Sequence, residues 1–425
     1  EICACLVGSE MCIRDRDETL RNMGVVLHHI SIEKNPFKIK KNIWALRELI
    51  RIIDREAISV VHCHNPNGGV LGRLAAVLSK RKPFVVYTAH GFHFFQGAPV
   101  KNWLFYYPAE KVLAKFSDII ITINHEDYTR ADKFHYKKDG GAALIPGVGV
   151  DLEKFYPLKE DEVHERDTLR KNLGIPEHAF HIVSAGEINK NKNHRVVIEA
   201  IAKLARSDIY YSICGEGPNR KNLETEIKKY GLSDRVFLQG YRNDMPKIWR
   251  TADISVFPSL REGMGMAGLE AMASGIPLIA ADNRGTREYL IDQENGLVCN
   301  AASADEFAKA ILSLYENKEQ RQRYAARAQN TVEKFSLHES AAKMSQIYQK
   351  LPKVPEVTIE NDRERPMISV IMGVYNQQDL EVFEKAVNSV LQQTYRNFEF
   401  LIYNDGSSIK KVNTCLLYTS PSPRD

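Results

Sequence analysis

Apolar positions along the chain change period repeatedly. In "NIWALRELIRII", Leu46, Leu49, Ile50 and Ile53 recur at helical spacing and predict an amphipathic helix. "ISVVHCH" (58–64) follows as a continuous apolar run, too short for a helix, and reads as a buried strand. "VLGRLAAVLS" reads as a helix, then "FVVYTAH" and "IIITIN" as strands. Strands alternating with helices predict an α/β fold, with a parallel sheet covered on both faces.

The pattern restarts after "IPGVGVDLEKFYP". "FHIVSAGE" reads as a strand and "HRVVIEAIAKLA" as a helix with Val197, Ile201 and Leu204 in register. "IYYSICGEG", "RVFLQG", "ISVFPS" and "PLIAAD" read as further strands, each followed by helical spacing. Two doubly wound, Rossmann-like domains are therefore expected, at 17–150 and 151–335. The capping box "SLHE" (336–339) opens one more helix, to 351. Residues 352–366 are polar and proline-bearing and read as a linker. "MISVIMGVYN" and "FEFLIYNDGSS" begin a third βα pattern over 367–414, too short to close a sheet. The first domain starts late, on "GVVLHHI". Neither the central strand nor the Gly-rich turn that normally opens such a domain is found, so it is expected to lack its first strand.

Composition narrows the class. At 44% hydrophobic and 26% charged, the chain can build large cores. Its net charge of +4 makes no case for nucleic acid. No apolar run reaches the ~18 residues that span a bilayer, and no secretory pattern is visible at the start. Of the seven cysteines, Cys3, Cys5, Cys12 and Cys415 lie in the end segments, which is no disulfide framework and fits a cytoplasmic setting. The tail "CLLYTSPSPRD" (415–425) matches a translated sequencing-library adaptor residue for residue, and "LVGSEMCIRDR" matches the opposite strand of the same adaptor. Residues 1–16 and 415–425 are therefore read as foreign, and the natural protein is expected to extend past both.

The chemistry concentrates in "REGMGMAGLEAMASG" (261–275). A strand ends just before it and a helix starts within it, the place where open α/β sheets bind ligands. Gly263, Gly265 and Gly268 allow close approach to the backbone, and the helix N-terminus suits phosphate. Glu262 and Glu270 repel phosphate but accept hydrogen bonds from vicinal diols. Two diols flanking a diphosphate describe a nucleotide-sugar, with Glu270 on the ribose and Glu262 on the sugar. A rival reading takes Gly263, Gly265 and Gly268 as a G-x-G-x-x-G dinucleotide fingerprint, with Asp282 about twenty residues on. Against it, Pro258 to Glu262 separate the strand from the glycines. His62, His64, His90 and His93 lie near strand ends, but no metal site is expected.

"EGMGMAGLE" resembles the E-x7-E signature of retaining glycosyltransferase family 4, which has the two-domain GT-B fold with its domains facing a cleft. "TAHGFHFF", "IPGVGVDLEKF", "SAGEINKNKN", "ICGEGP" and "LQGYRND" resemble further stretches of that family, in the same order. The likeness covers about 17–351 and is nearest to bacterial capsule and exopolysaccharide transferases. It implies donor binding by Lys192, Tyr241, Arg242, Gly263, Met264, Gly265, Met266 and Glu270. It implies that His90 and Glu262 act beside the donor sugar. "NPNGG" adds Asn65, Gly68 and Gly69 as cleft residues, with a capped turn equally open. Glu187 stands where the family often has arginine. The implied activity is transfer from a nucleoside-diphosphate sugar, UDP-linked, to a glycan or polyprenyl-diphosphate-linked acceptor, with no metal or other cofactor. Alternatives are an epimerase of the same fold, an NAD-dependent oxidoreductase and a non-catalytic sugar-nucleotide binder. "NPFKIKKNIW" and "NWLFYYP" are candidates for peripheral contact with the membrane. Residues 367–414 resemble the start of a family 2, GT-A transferase, with Asp405 as its nucleotide-binding aspartate.

Overall fold

The computed structural model describes residues 2–5, 25–28, 30, 32, 39–64, 66–350, 367–374 and 398–404. The chain divides into two compact units, Glu1–Ile145 with Lys343–Asp425, and Pro146–Ala342.

In the first unit the elements run β1 (Ile2–Cys5), β2 (Val25–His28), α1 (Ile39–Arg55), β3 (Ile58–His64), α2 (Pro66–Leu78), β4 (Phe84–Ala89), α3 (Val100–Ala114), β5 (Ile119–Thr122), α4 (His125–Ala131) and β6 (Gly141–Leu144). The α1 stripe falls slightly to one side of the expected one. Ala45, Leu49, Ile52 and Ile53 are buried, while Leu46 and Ile50 sit half-buried at its margin. They pack on Ile58, Val61 and Cys63 of β3 in one apolar core.

Strands at the far end of the chain join this unit. β13 (Met367–Val374) and β14 (Phe398–Asn404) extend its parallel sheet, whose order is β14-β13-β3-β4-β5-β6. β13 lies beside β3 with Ile368 opposite Val60 and Val370 opposite His62. The place next to β3 is thus filled from the 367–414 segment, and the backbone groups on that side of β3 are paired rather than left as an open edge. β1 pairs in parallel with β2 as a separate two-stranded sheet, although it lies in the segment read as foreign.

The second unit contains α5 (Val163–Asn172), β7 (Phe180–Ala185), α6 (His194–Leu204), β8 (Ile209–Cys214), α7 (Arg220–Lys229), β9 (Val236–Gly240), α8 (Met245–Trp249), β10 (Ile254–Phe257), α9 (Met266–Ala273), β11 (Leu278–Ala281), β12 (Gly296–Cys299), α10 (Ala304–Glu316) and α11 (Lys318–Val332). Its parallel sheet has the order β12-β11-β10-β7-β8-β9. From β7 the chain proceeds outward through β8 and β9, then returns to the other side through β10, so the strand order reverses between β7 and β10. That reversal opens a crevice at the carboxyl ends of the two strands. Val197 and Ile201 of α6 are buried against Ile209, Tyr211, Phe307 and Ile311, with Leu204 at the edge. Glu339 donates its backbone N–H to Ser336 Oγ at 3.2 Å and opens α12 (Leu337–Tyr348), which starts in the second unit and ends in the first.

Buried histidines make the fold sensitive to acid. Burial pushes His181 down to about 3, reinforced by the Arg170 charge. Burial also pushes His194 down to about 3, reinforced by Lys192, and His62 down to about 3, reinforced by His90. Their hydrogen bonds suit neutral rings: His181 reaches Thr251 O at 3.1 Å and Ser212 Oγ at 2.9 Å. Each folded pKa lies below the unfolded value near 6.5, so between about 6.5 and 3 the unfolded chain binds the extra proton. Stability is full above pH 6.5 and is expected to fall by up to about 1.4 kcal/mol per pH unit for each such histidine as pH drops through that window. Urea unfolding at pH 7 and pH 5 measures this, and equal midpoints would show that the rings are not held neutral.

Candidate active site

The crevice between β7 and β10 is lined by the two loops that follow those strands. The β7 loop carries Lys192 and the β10 loop carries Glu262. The β7 loop is shaped by the Asn189 side chain, whose Oδ1 accepts from Lys192 N–H at 2.9 Å. Asn193, in the left-handed region at φ 53°, ends the loop and donates its side-chain amide to Pro258 O at 3.2 Å and Ala301 O at 2.8 Å. Asn191 adds two bonds: its carbonyl accepts from Leu260 N–H at 2.8 Å, and its amide donates to Arg261 O at 2.9 Å. The loops are thereby fixed to each other. Across them Lys192 Nζ donates to Glu262 Oε1 at 2.8 Å and stands 5.0 Å from the Phe257 ring centre. The stem of Lys192 crosses Gly186, where a Cβ would come within 3.1 Å of Lys192 Cε.

A third loop, after β8, closes in from the other side. Gly215 N–H donates to Gly240 O at 2.7 Å, and Ile188 N–H to Glu216 O at 2.9 Å. A Cβ on Gly215 would lie 2.0 Å from Gly186 O, so only glycine lets these two backbones touch.

The helix start is set by aromatic packing. Gly265 caps α9 at φ 89°. A Cβ there would meet Phe257 Cε1 at 2.7 Å, and one on Gly268 would meet Tyr289 Oη at 2.4 Å. Tyr289 Oη donates to Gly265 O at 3.0 Å and anchors the turn. Gly265 and Gly268 therefore have a packing reason independent of any ligand. Met264 and Gly265 are buried, Gly263 and Met266 half-buried, and Glu270 is buried one turn into α9.

Comparison with known proteins gives the chain a family. Residues 11–124 match the glycosyl transferase 4-like family model, 165–331 the model for glycosyl transferases group 1, and 369–417 that of glycosyl transferase family 2. The "Putative glycosyltransferase EpsD" of Bacillus subtilis is 40% identical over 322 residues, covering 75% of this chain and 83% of that one. The chain belongs to the group 1 glycosyltransferases. This transferase is also 31% identical over 283 residues to the Escherichia coli "UDP-Gal:alpha-D-GlcNAc-diphosphoundecaprenol alpha-1,3-galactosyltransferase", covering 65% of this chain and 72% of that one. Among solved structures, Anabaena HepE in complex with UDP and glucose matches with a TM-score of 0.68 at 18% identity, covering 83% of this chain and 100% of that one. Sucrose-phosphate synthase from Thermosynechococcus elongatus matches with a TM-score of 0.61 at 21% identity, covering 73% and 79%. These likenesses show the GT-B fold.

Within the transferase, the candidate residues from sequence divide into groups. Lys192, Glu262, Gly263, Met264, Gly265, Met266 and Glu270 gather at the crevice of the second unit. Arg242 follows β9 but is held by Asp244 through two hydrogen bonds of 2.9 and 2.6 Å, so its charge is locally matched. Tyr241 beside it is exposed. Glu187 accepts from Asn189 Nδ2 at 2.8 Å. Asp282, the acid of the rival dinucleotide fingerprint, is engaged by Arg287 at 2.6 and 2.9 Å.

His90 lies in the first unit just after β4, with Nε2 3.1 Å from His64 Nδ1. His64 stacks on His62 at 4.4 Å between ring centres, as strand residues two apart share a face. His62 contacts Thr88 Oγ1 at 2.8 Å and Tyr348 Oη at 2.5 Å. His93 stacks on Tyr106 at 4.7 Å. Gly68 and Gly69 are buried in α2, and a Cβ on Gly69 would lie 2.5 Å from Tyr87 Cε2, so its glycine serves helix–sheet packing. Asn65 and Asp405 lie outside the described residues. Among the described residues, no three His, Cys, Asp or Glu side chains are placed to share a metal ion.

Two contributors were missed from sequence. Buried Arg284 donates Nε–H to Glu262 O at 3.2 Å, bringing a second cation to the Glu262 loop. Tyr289 holds the α9 turn. The signal for both was "NRGTREYL", a basic and aromatic stretch directly after a strand of the same sheet.

Proposed function

We propose that the chain is a retaining glycosyltransferase that moves a sugar from a UDP-sugar to a glycan or polyprenyl-diphosphate-linked acceptor in capsular or exopolysaccharide synthesis. The observation carrying this reading is the Lys192–Glu262 pair beside a helix N-terminus at the strand-order reversal. One cation and a helix dipole sit there for a diphosphate, next to carboxylates for sugar hydroxyls. The names of the Escherichia coli relative and of the Anabaena complex support the donor class.

In the reaction the bond from the anomeric carbon to the diphosphate oxygen breaks. The acceptor oxygen bonds that carbon from the same face, and its proton passes to the departing diphosphate. Lys192 and the α9 N-terminus stabilise the charge that develops on the leaving group, so the protein itself supplies what a metal ion would otherwise do. Glu270 holds the ribose and Glu262 the donor sugar.

Calorimetric titration with UDP, UDP-sugars and NAD tests the reading. UDP is expected to bind and NAD not. Glu270→Ala is expected to weaken UDP by about ten- to a hundredfold, the loss of hydrogen bonds to a charged acceptor. NAD binding without UDP binding would return "GMGMAG" to the dinucleotide fingerprint. Conversion of the donor sugar with no acceptor present would favour an epimerase.

A further inference from the structure

The β7 loop turns on one anchored residue. Ile188 is buried, its N–H donates to Glu216 O at 2.9 Å, and its carbonyl accepts from Asn219 N–H at 2.9 Å. Glu187 and Asn189 flank it, both half-buried, and Asn189 N–H donates to Glu187 O at 2.8 Å, closing a tight turn over Ile188. Their side chains meet as well, with Asn189 Nδ2 donating to Glu187 Oε2 at 2.8 Å. The other end of the same amide, Oδ1, accepts from Lys192 N–H at 2.9 Å. A carboxylate can only accept and a backbone N–H can only donate, so the Asn189 amide fits between them one way round. Turned over, it would set oxygen against the Glu187 carboxylate and NH2 against the Lys192 N–H, and both hydrogen bonds would be lost. From this fixed base Lys192 carries its ammonium to Glu262 Oε1, 2.8 Å away.

We propose that Glu187 is a positioning residue, which acts through Asn189 to fix the backbone from which Lys192 reaches into the crevice. The inference rests on the reading of that crevice as a diphosphate site and deepens it. Two acids serve one cation there, Glu187 through the backbone at its base and Glu262 at its tip. The negative charge of Glu187 works against an anionic donor, and its hold on Asn189 offsets that cost. An arginine at 187 would present donors alone. It would draw Asn189 Oδ1 toward itself and away from the Lys192 N–H, so the residue that adds charge for a phosphate would here undo the loop. With aspartate at 189 the conflict disappears, because one carboxylate oxygen can accept from the arginine and the other from the Lys192 N–H.

Two measurements on the full chain test it. Amide hydrogen exchange at Lys192, read with isotope-labelled lysine, reports the Asn189–Lys192 bond without any reaction. Glu187→Ala should speed that exchange about tenfold, whereas Glu187→Gln, which still accepts from Asn189, should leave it within about threefold. Exchange at the other lysines should not change, which separates the loop from global unfolding. Steady-state transfer kinetics give the consequence. Glu187→Ala should lower turnover about tenfold while donor KM moves less than about threefold, and Glu187→Gln should recover most of the loss. Glu187→Arg should fall as far as alanine, and Glu187→Arg/Asn189→Asp should regain turnover. A glutamine variant as poor as alanine would assign the charge of Glu187 to the ligand and overturn the proposal. So would an arginine variant as active as the unaltered chain, a double variant no better than Glu187→Arg, or unchanged exchange at Lys192 in Glu187→Ala. Failure of the unaltered chain to bind UDP would instead sink the crevice reading, with the exchange rates still deciding whether Glu187 holds the Lys192 backbone.

Discussion

Replacing Lys192 by methionine is expected to lower sugar-transfer turnover by about a hundred- to a thousandfold, the cost of removing one fixed group aimed at developing charge. Lys192 is well placed for a loss of that size. Its stem is packed over Gly186, its loop is stitched to the Glu262 loop through Asn191 and Asn193, and its ammonium is pointed by Glu262 and Phe257. On the proposed reading, little reorganisation is needed when charge appears on the leaving diphosphate. The substitution has a second effect, because Glu262 loses its partner in a half-buried site. Steady-state kinetics on Lys192→Met beside Lys192→Arg separate the two. Arginine keeps the charge and should recover part of the turnover, whereas methionine should depress turnover more than donor affinity. A methionine variant with turnover within fivefold of the unaltered enzyme would remove Lys192 from the mechanism.

The largest expected stability effect lies in the first unit. Arg73 is fully buried, donates Nε–H to Gly69 O at 2.6 Å and Nη1–H to Glu110 Oε2 at 2.8 Å, and stacks 4.1 Å from the Tyr87 ring centre. Arg73→Met leaves the Glu110 carboxylate buried without its partner and should cost about 3–5 kcal/mol. Arg73→Met/Glu110→Leu removes both charges and should restore most of that loss, because the pair itself contributes little beyond the desolvation it offsets. Urea unfolding of the two variants decides the matter. If the double variant is no more stable than the single one, the pair does more than neutralise itself.

Local periodicity made most elements legible in the sequence. The runs at 58–64, 84–89 and 209–214 lie in strands, and Val197 and Ile201 sit where helical spacing put them, since each pattern is decided by neighbours a few residues away. The crevice was legible for the same reason: a strand, a glycine turn and a helix follow one another in sequence. What stayed hidden was pairing over distance. Nothing in "MISVIMGV" names β3 as its neighbour, because any parallel edge offers the same backbone groups. Side-chain competition was hidden too. Arg242 looked available for phosphate, yet Asp244 two residues on holds it in a two-bond clasp. Gly265 and Gly268 looked like ligand glycines, and their immediate reason is the bulk of Phe257 and Tyr289, the second contributed by a residue beyond the next strand.

The pairing of β13 with β3 joins residues about 300 positions apart, a separation that makes contact formation slow. The second unit, Pro146–Ala342, holds its whole sheet in one uninterrupted stretch and can acquire its structure as soon as that stretch leaves the ribosome. In the first unit β13, the strand beside β3, is synthesised after that stretch. The β3–β13 pairing therefore forms after the second unit's sheet can close, and a long-range step of this kind is where chaperones and aggregation compete with folding.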